Sequence, residues 1–148
     1  MGAGRGGDYG NTPNKGGGFV DNLLDLIEKY PLSDVGFFGE RARNDRTDVR
    51  HIFGIDPLET MRDFINIATK GARIEPLKNG RGYHAFFSDG FEIIYRESSA
   101  SDQTPSVEIK TKIKSTKSDS IIEVKISKQT FKLRYQKIHF VPPKSKKK

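Results

Sequence analysis

The side chains with the clearest capacity for chemistry in this chain are two histidines and an adjacent tyrosine and arginine. His51 and His84 can act as acid or base near neutral pH, because an imidazole titrates there. Tyr95 can donate a proton, and the planar fork of Arg96 suits a phosphate group. His139 lies among lysines near the end of the chain, and we rank it below the others. These residue types predict acid–base chemistry on a phosphate ester, with His51, His84, Tyr95 and Arg96 as candidate catalytic residues.

Each of these candidates also has an ordinary structural interpretation. His84 alternates with apolar residues and is either a buried core histidine or an acid or base near the end of a strand. His51 lies beside Arg46 and Arg50. It is either an acid or base or an exposed loop histidine. Arg96 either contacts phosphate or forms an ion pair that holds the strand end. The sequence leaves these alternatives open.

Cations and hydroxyls near the same segments are candidates for binding the substrate. Hydroxyls between Glu97 and Pro105 can hydrogen-bond a phosphate or stabilise a turn, and the lysines and arginine are either phosphate contacts or plain surface charges. The glycines of KNGRG at 78–82 are turn glycines, because that segment lacks the spacing of a phosphate-binding loop. The candidate substrate-binding residues are Lys70, Lys78, Arg81, Ser98, Ser99 and Thr104.

Composition limits the classes of protein to which the chain can belong. At 148 residues with 34% hydrophobic content, we expect one domain with one modest core. The absence of cysteine excludes disulfides, thiolate metal sites and a cysteine nucleophile. No cluster of carboxylates or histidines has the spacing of metal ligands, so we predict neither a metal nor another cofactor.

The positive charge is concentrated in the last quarter of the chain. The net charge is +7, and residues 110–148 hold thirteen of the 26 basic residues but only two of the 19 acidic ones. Such a surplus attracts a polyanion, and nucleic acid is a commoner target than membrane when no basic amphipathic helix is present. A solvated, solubilising surface is the alternative.

Three segments divide the chain. Residues 1–18 are rich in glycine and predict a flexible linker, residues 19–141 form the single folded domain, and residues 142–148 form a basic tail. No apolar stretch approaches the length of a membrane span, and no apolar run of the kind found in signal peptides follows Met1. We therefore expect a soluble protein with no membrane partner and no export signal of its own.

Two helices are predicted in the first half of the domain. Phe19 to Tyr30 has apolar residues at helical spacing before a proline. The second helix has Asp56 as its cap, a proline in its first turn, and Gly71 to close it. Between these helices, residues 32–55 form a long connection that carries His51, and a loop of that length is either functional or poorly ordered.

After Gly71 the pattern changes to the alternation of β-strands. Asn79-Gly80 and Asp89-Gly90 are signals for two-residue hairpins. The predicted register around Asp89-Gly90 sets His84 opposite Tyr95 and Tyr83 opposite Arg96. The predicted strands are Gly82 to Ser88, Phe91 to Arg96, Ser106 to Lys114, Ser120 to Lys128 and Thr130 to Val141. The fold class is therefore α+β, with two N-terminal helices packed on one antiparallel sheet of four to six strands.

The stretch from Arg73 to Lys110 resembles a C-terminal nuclease cargo domain of bacterial polymorphic toxins of the Rhs, WapA and LXG types. The resemblance is carried by KNGRG at 78–82, SDG at 88–90, and IIYRESSASDQTP followed by SVEI. It covers about a quarter of the chain. Gln103 stands where the pattern usually has glycine, so the turn at this position is expected to differ in shape from the turn in the family while the arrangement of the strands stays the same.

The resemblance implies a function as well as a fold. Several such cargo domains are similar to the ribonuclease group of barnase, colicin E5, colicin D and RelE, which cleave RNA without a metal. The chain is then expected to be an RNA endonuclease, with transfer RNA among its candidate substrates. A larger carrier polypeptide or secretion apparatus would export it, it would act in the cytoplasm of the target cell, and an acidic cognate immunity protein would neutralise it. The alternatives are a metal-dependent DNase toxin and a non-catalytic basic module that binds nucleic acid.

Overall fold

A computed structural model of the chain describes residues 18–42, 47–78, 80–98, 104–111, 121–126 and 128–143. Within these ranges the chain forms two helices and nine strands, and no helix is long and apolar enough to cross a membrane. The helices are α1 (Val20–Lys29) and α2 (Pro57–Ala68). The strands are β1 (Glu40–Arg41), β2 (Val49–Phe53), β3 (Arg73–Pro76), β4 (Tyr83–Phe86), β5 (Glu92–Arg96), β6 (Ser106–Lys110), β7 (Ile121–Ile126), β8 (Gln129–Arg134) and β9 (Gln136–Val141).

Both predicted helices are confirmed, and the second begins as its capping residues indicate. The side chain of Asp56 accepts a hydrogen bond from the backbone N–H of Glu59, and Pro57 opens α2. Gly71, just after α2, has a φ of +78°, a left-handed conformation that glycine adopts without steric cost. Local sequence signals therefore define the ends of α2.

The α+β class is also confirmed, but the sheet is larger and less regular than predicted. The main sheet has seven strands in the order β1-β2-β9-β6-β5-β4-β3, not four to six, and β7 and β8 form a separate two-stranded sheet. The pairing of β2 with β9 is parallel, so the sheet is not purely antiparallel. The predicted strand Thr130–Val141 is interrupted at Tyr135, where the chain passes from one sheet to the other.

The prediction of a loop over residues 32–55 was wrong, because β1 and β2 lie there and separate the two helices along the chain. The strand β2 was not predicted because a buried arginine interrupts the apolar alternation that indicates a strand. Arg50 is only 8% exposed, and its guanidinium donates hydrogen bonds to the backbone carbonyls of Phe38, Gly39 and Thr47. It also lies over the ring of Phe37. A charged residue thus occupies a position where strand patterns normally show an apolar one.

The predicted register of β4 and β5 was wrong by one residue. Phe87 pairs with Phe91, so the turn contains three residues, with Gly90 in a left-handed conformation at φ +93°. Three-residue hairpin loops are commonly a type I turn followed by such a residue. Because of this shift, Tyr83 pairs with Tyr95 rather than with Arg96, and a one-residue slip moves each side chain to the other face.

The core lies between the helices and one face of the main sheet. The buried apolar side chains of α1 and α2 form one cluster with alternate residues of the strands. The sheet residues in this cluster include Ile52, Ala85, Ile93, Val107, Ile109, Ile138 and Phe140. The opposite face of the sheet, called the open face below, carries His51, His84, Arg96, Glu108 and His139, and none of these five side chains belongs to the core cluster.

Candidate functional site

Four residues on adjacent strands form a continuous row across the open face. His51 of β2 is the register partner of His139 of β9, His139 is the partner of Ser106 of β6, and Ser106 is the partner of Arg96 of β5. Register partners have side chains on the same face. We call His51, His139, Ser106 and Arg96 the histidine row. It spans three strand spacings, or about 14 Å.

Alternation along β2 and β9 aims both histidines at the open face. Arg50 and Ile52 are buried on the helix side, so His51 between them points the other way. Ile138 and Phe140 are fully buried on the helix side, and His139 lies between them. The parallel pairing of the two strands then sets the histidines side by side.

Neighbouring side chains hold the two imidazoles differently. His139 is only 6% exposed, and its Nδ1 lies 2.8 Å from the hydroxyl of Thr104, with donor and acceptor roles that depend on the tautomer. A hydrogen bond at one ring nitrogen fixes the orientation of the other. His51 is half-buried, and its ring meets that of Phe53 edge to face. Two imidazoles on adjacent strands can supply an acid and a base to one substrate.

A lysine and a glutamate lie in the next row of the open face. Lys137 is the register partner of Glu108, and each lies two residues along its strand from a member of the histidine row. The hydroxyl of Tyr135 donates a hydrogen bond to Glu108 Oε2. These residues add a cation that can bind phosphate and a carboxylate that can accept a proton.

Lys137 and Glu108 were not among the residues predicted from sequence, and His139 was ranked below the others. The alternation within SVEIK and QKIHFV contains the signal that these side chains share the face opposite the core. Which of them become neighbours depends on the pairing of β6, β9 and β2, and the local pattern does not contain that pairing.

The structure does not bring His84 to the histidine row. His84 lies on the open face of β4, three strands from His139. Its Nε2 is 2.8 Å from Glu92 Oε1, and its ring stacks on that of Phe86 with centroids 4.0 Å apart. The side chain of Tyr95 points to the helix side, so the two predicted catalytic residues lie on opposite faces of the sheet.

Tyr95 instead lines a cleft of about 530 Å³ between α2 and the ends of β4 and β5, called the α2 cleft below. The ring of Tyr95 stacks on that of Tyr83, and burial, followed by the proximity of Tyr83, raises the pKa of Tyr95 above its ordinary value. Arg81 and Ser98, both predicted to bind substrate, also line the cleft. Its lining is Met61, Arg62, Ile65, Asn66, Gly80, Arg81, Gly82, Tyr83, Tyr95, Glu97 and Ser98.

The remaining predicted binding residues lie at separate places. Lys70 follows α2, with its ammonium 3.9 Å from a carboxylate oxygen of Asp25 in the helical layer. Lys78 is exposed in the loop between β3 and β4. Thr104 contacts the histidine row through His139, and Ser99 lies outside the described residues. Among the residues that the structure describes, no group of three histidine, aspartate or glutamate side chains is arranged to hold a metal ion.

No known protein family, curated protein or solved structure matches this chain. The resemblance of residues 73–110 to toxin cargo domains therefore stays an expectation drawn from sequence. The features of the structure that bear on function are the histidine row, the cations beside it and the α2 cleft.

Proposed function

We propose that this chain is an RNA endonuclease that needs no metal, with the histidine row as its catalytic centre. In such a reaction the ribose 2′-oxygen attacks the adjacent phosphorus. A base takes the 2′-proton, an acid protonates the leaving 5′-oxygen, and a cation stabilises the crowded phosphate. The observation that carries the proposal is that His51 and His139 are register partners on the open face, in one row with Arg96.

The two histidines supply the acid and the base. In an in-line displacement the attacking and leaving oxygens lie on opposite sides of the phosphorus, so the two proton-transfer groups approach from different directions. His51 and His139 are separated by one strand spacing, about 4.8 Å at the backbone, so both imidazoles extend from the same face toward a phosphate held over it. His139 is the more rigid partner because it is buried and contacts the hydroxyl of Thr104.

Arg96 and Lys137 supply the positive charge. Arg96 ends β5 in the same row, and its guanidinium can donate two parallel hydrogen bonds to phosphate oxygens. Lys137 lies two residues from His139 on β9 and adds a point charge on the same face. Arg96 lies two strand spacings, about 10 Å at the backbone, from His139, and Lys137 lies two residues from it along β9, so we propose that their long side chains extend toward the same phosphate. Glu108, held by Tyr135, is a second group that can accept the 2′-proton.

The resemblance of residues 73–110 and the net charge of +7 support a biological role for this nuclease. We propose that it is the cargo domain of an interbacterial toxin, secreted as part of a larger effector and active in the cytoplasm of the target cell. A cognate immunity protein with an acidic surface would neutralise it, because complementary charge speeds association. Transfer RNA is among its candidate substrates.

The test is to incubate the purified chain with total bacterial RNA and with plasmid DNA, each with and without EDTA, and to resolve the products on denaturing gels. We expect discrete RNA fragments that persist in EDTA. Cleavage of DNA alone, abolished by EDTA, would contradict the proposal and indicate a metal-dependent DNase. Binding of either nucleic acid without cleavage would indicate a non-catalytic module.

Variants locate the activity. His51→Ala and His139→Ala should each lower the cleavage rate by a factor of about 10² to 10⁴, the usual contribution of one acid or base. His84→Ala is the matched control, because it removes a histidine from the same face at a distance of three strands from His139. It should cleave at nearly the wild-type rate. Equal loss in all three variants would refute the assignment to the histidine row.

A further inference from the structure

The α2 cleft has the size and location of a second binding site close to the histidine row. Its volume of about 530 Å³ lies within the range of small-molecule sites. Tyr95 and Arg96 are consecutive residues of β5, and their side chains point to opposite faces of the sheet. A ligand held at Arg96 on the open face can therefore extend around the end of β5 into the cleft.

An exposed aromatic ring lies along this cleft. Tyr83 is 47% exposed, so part of its ring is accessible to a ligand in the cleft. Its ring stacks on that of Tyr95, with centroids 5.4 Å apart and planes inclined by 29°. Tyr95 is half-buried and supports the ring of Tyr83 from one side. The pair thus presents a supported flat surface for another planar ring.

Polar groups surround this aromatic surface. Asn66 of α2 lines the cleft with an amide that both donates and accepts hydrogen bonds. Across the cleft mouth, the guanidinium of Arg62 donates to Glu97 Oε2 from both Nε and Nη2, at 3.3 and 2.9 Å. Donors and acceptors at the rim of a stacking surface can form hydrogen bonds with the polar atoms on the edge of a heterocyclic base.

We propose that the α2 cleft binds a nucleobase, which stacks on Tyr83 and meets Asn66 and the Arg62–Glu97 pair at its edge. This inference rests on the proposed function in one respect, because the base belongs to the nucleotide next to the phosphate held by the histidine row. Gly82 connects the two places: it lines the cleft and lies beside the Cγ atom of Arg96. The cleft thereby positions RNA relative to the catalytic groups.

The test is an NMR titration of the full chain with adenosine 5′-monophosphate and with uridine 5′-monophosphate, neither of which has an internucleotide bond to cleave. Ribose 5-phosphate is the control ligand because it lacks the base. We expect saturable shifts at the backbone amides of Gly80 and Gly82 and at the side-chain amide of Asn66 with both nucleotides. Ribose 5-phosphate should leave these signals unchanged.

Two variants at one position test the stacking contact. Tyr83→Ala should weaken nucleotide binding between about fivefold and about 150-fold, the usual value of one base–aromatic stack. Tyr83→Phe keeps the ring and should bind nearly as well as the wild type. Equal binding by Tyr83→Ala, shifts confined to the open face, or equal shifts with ribose 5-phosphate would overturn the inference.

These outcomes are separable from those of the cleavage assay. Nucleotide binding at the cleft by a chain that cuts no RNA would support this inference and contradict the proposed function. RNA cleavage at the wild-type rate by Tyr83→Ala, together with no nucleotide shifts in the cleft, would contradict this inference alone.

Discussion

Replacing Arg50 by methionine tests how β2, the strand that carries His51, is held in place. The Arg50 guanidinium donates to the carbonyl of Phe38 at 3.1 Å in a buried contact, and to those of Thr47 and Gly39 at 3.0 and 2.9 Å in partly buried ones. Methionine keeps most of the apolar stem but removes every donor. A buried acceptor left without its donor costs about 1–3 kcal/mol, and water can replace the donor at the two partly buried carbonyls. The expected loss in the free energy of unfolding is therefore about 3 kcal/mol.

Thermal and urea unfolding followed by circular dichroism measure this loss. For a domain of this size, about 3 kcal/mol corresponds to a fall in Tm of roughly 6–12 °C. Arg73→Met is the matched control: that side chain is 64% exposed, pairs with Glu75 at the surface and lies over the ring of Phe86, so its loss should cost about 1 kcal/mol or less. Equal stability of the Arg50→Met and Arg73→Met variants would refute the role given to the buried guanidinium.

Two further predictions concern the strand ends and the helical layer. In Gly82→Ala the new Cβ would overlap the carbonyl oxygen of Tyr95 and lie 2.8 Å from Arg96 Cγ. The free energy of unfolding should therefore fall by about 1–3 kcal/mol, and RNA cleavage should slow. A wild-type free energy of unfolding together with a wild-type cleavage rate would contradict the close contact. The hydrogen bond from Tyr30 and that from Lys29 hold the pKa of Asp63 below its ordinary value. Because the folded-state pKa is the lower one, the stabilisation by this carboxylate is present above about pH 4 and is lost as the pH falls through the folded pKa. Urea unfolding should therefore show Asp63→Asn less stable than the wild type at neutral pH, with a difference that shrinks in acid; a constant difference would contradict this account.

The parts of the fold that depend on neighbouring residues could be predicted from sequence. Asp56 and Pro57 define the start of α2 because capping acts within one turn. The turn at Asp89-Gly90 was found, but its length was not, since a glycine with positive φ suits both two-residue and three-residue loops. The strand β2 was missed because the hydrogen bonds that stabilise the buried guanidinium of Arg50 include two to carbonyls ten or more residues away, at Phe38 and Gly39.

The candidate site shows the same division. His51, Arg96 and Thr104 were singled out from their residue types, and the structure places all three in or against the histidine row. His139 was ranked below them because its neighbours in sequence are lysines. Its closeness to His51 follows from a parallel pairing across 88 residues of chain between register partners, which no local pattern contains.

The chemical ends of the RNA fragments test the central claim most directly. A short RNA and the same RNA with a single 2′-deoxynucleotide at the cleaved position would be incubated with the wild-type chain in EDTA, and the products would be identified by mass spectrometry. Attack by the 2′-oxygen at the histidine row predicts a 2′,3′-cyclic phosphate on the upstream fragment and no cleavage of the deoxy-substituted RNA. Fragments with 3′-hydroxyl and 5′-phosphate ends, or cleavage at the deoxy position, would contradict the account.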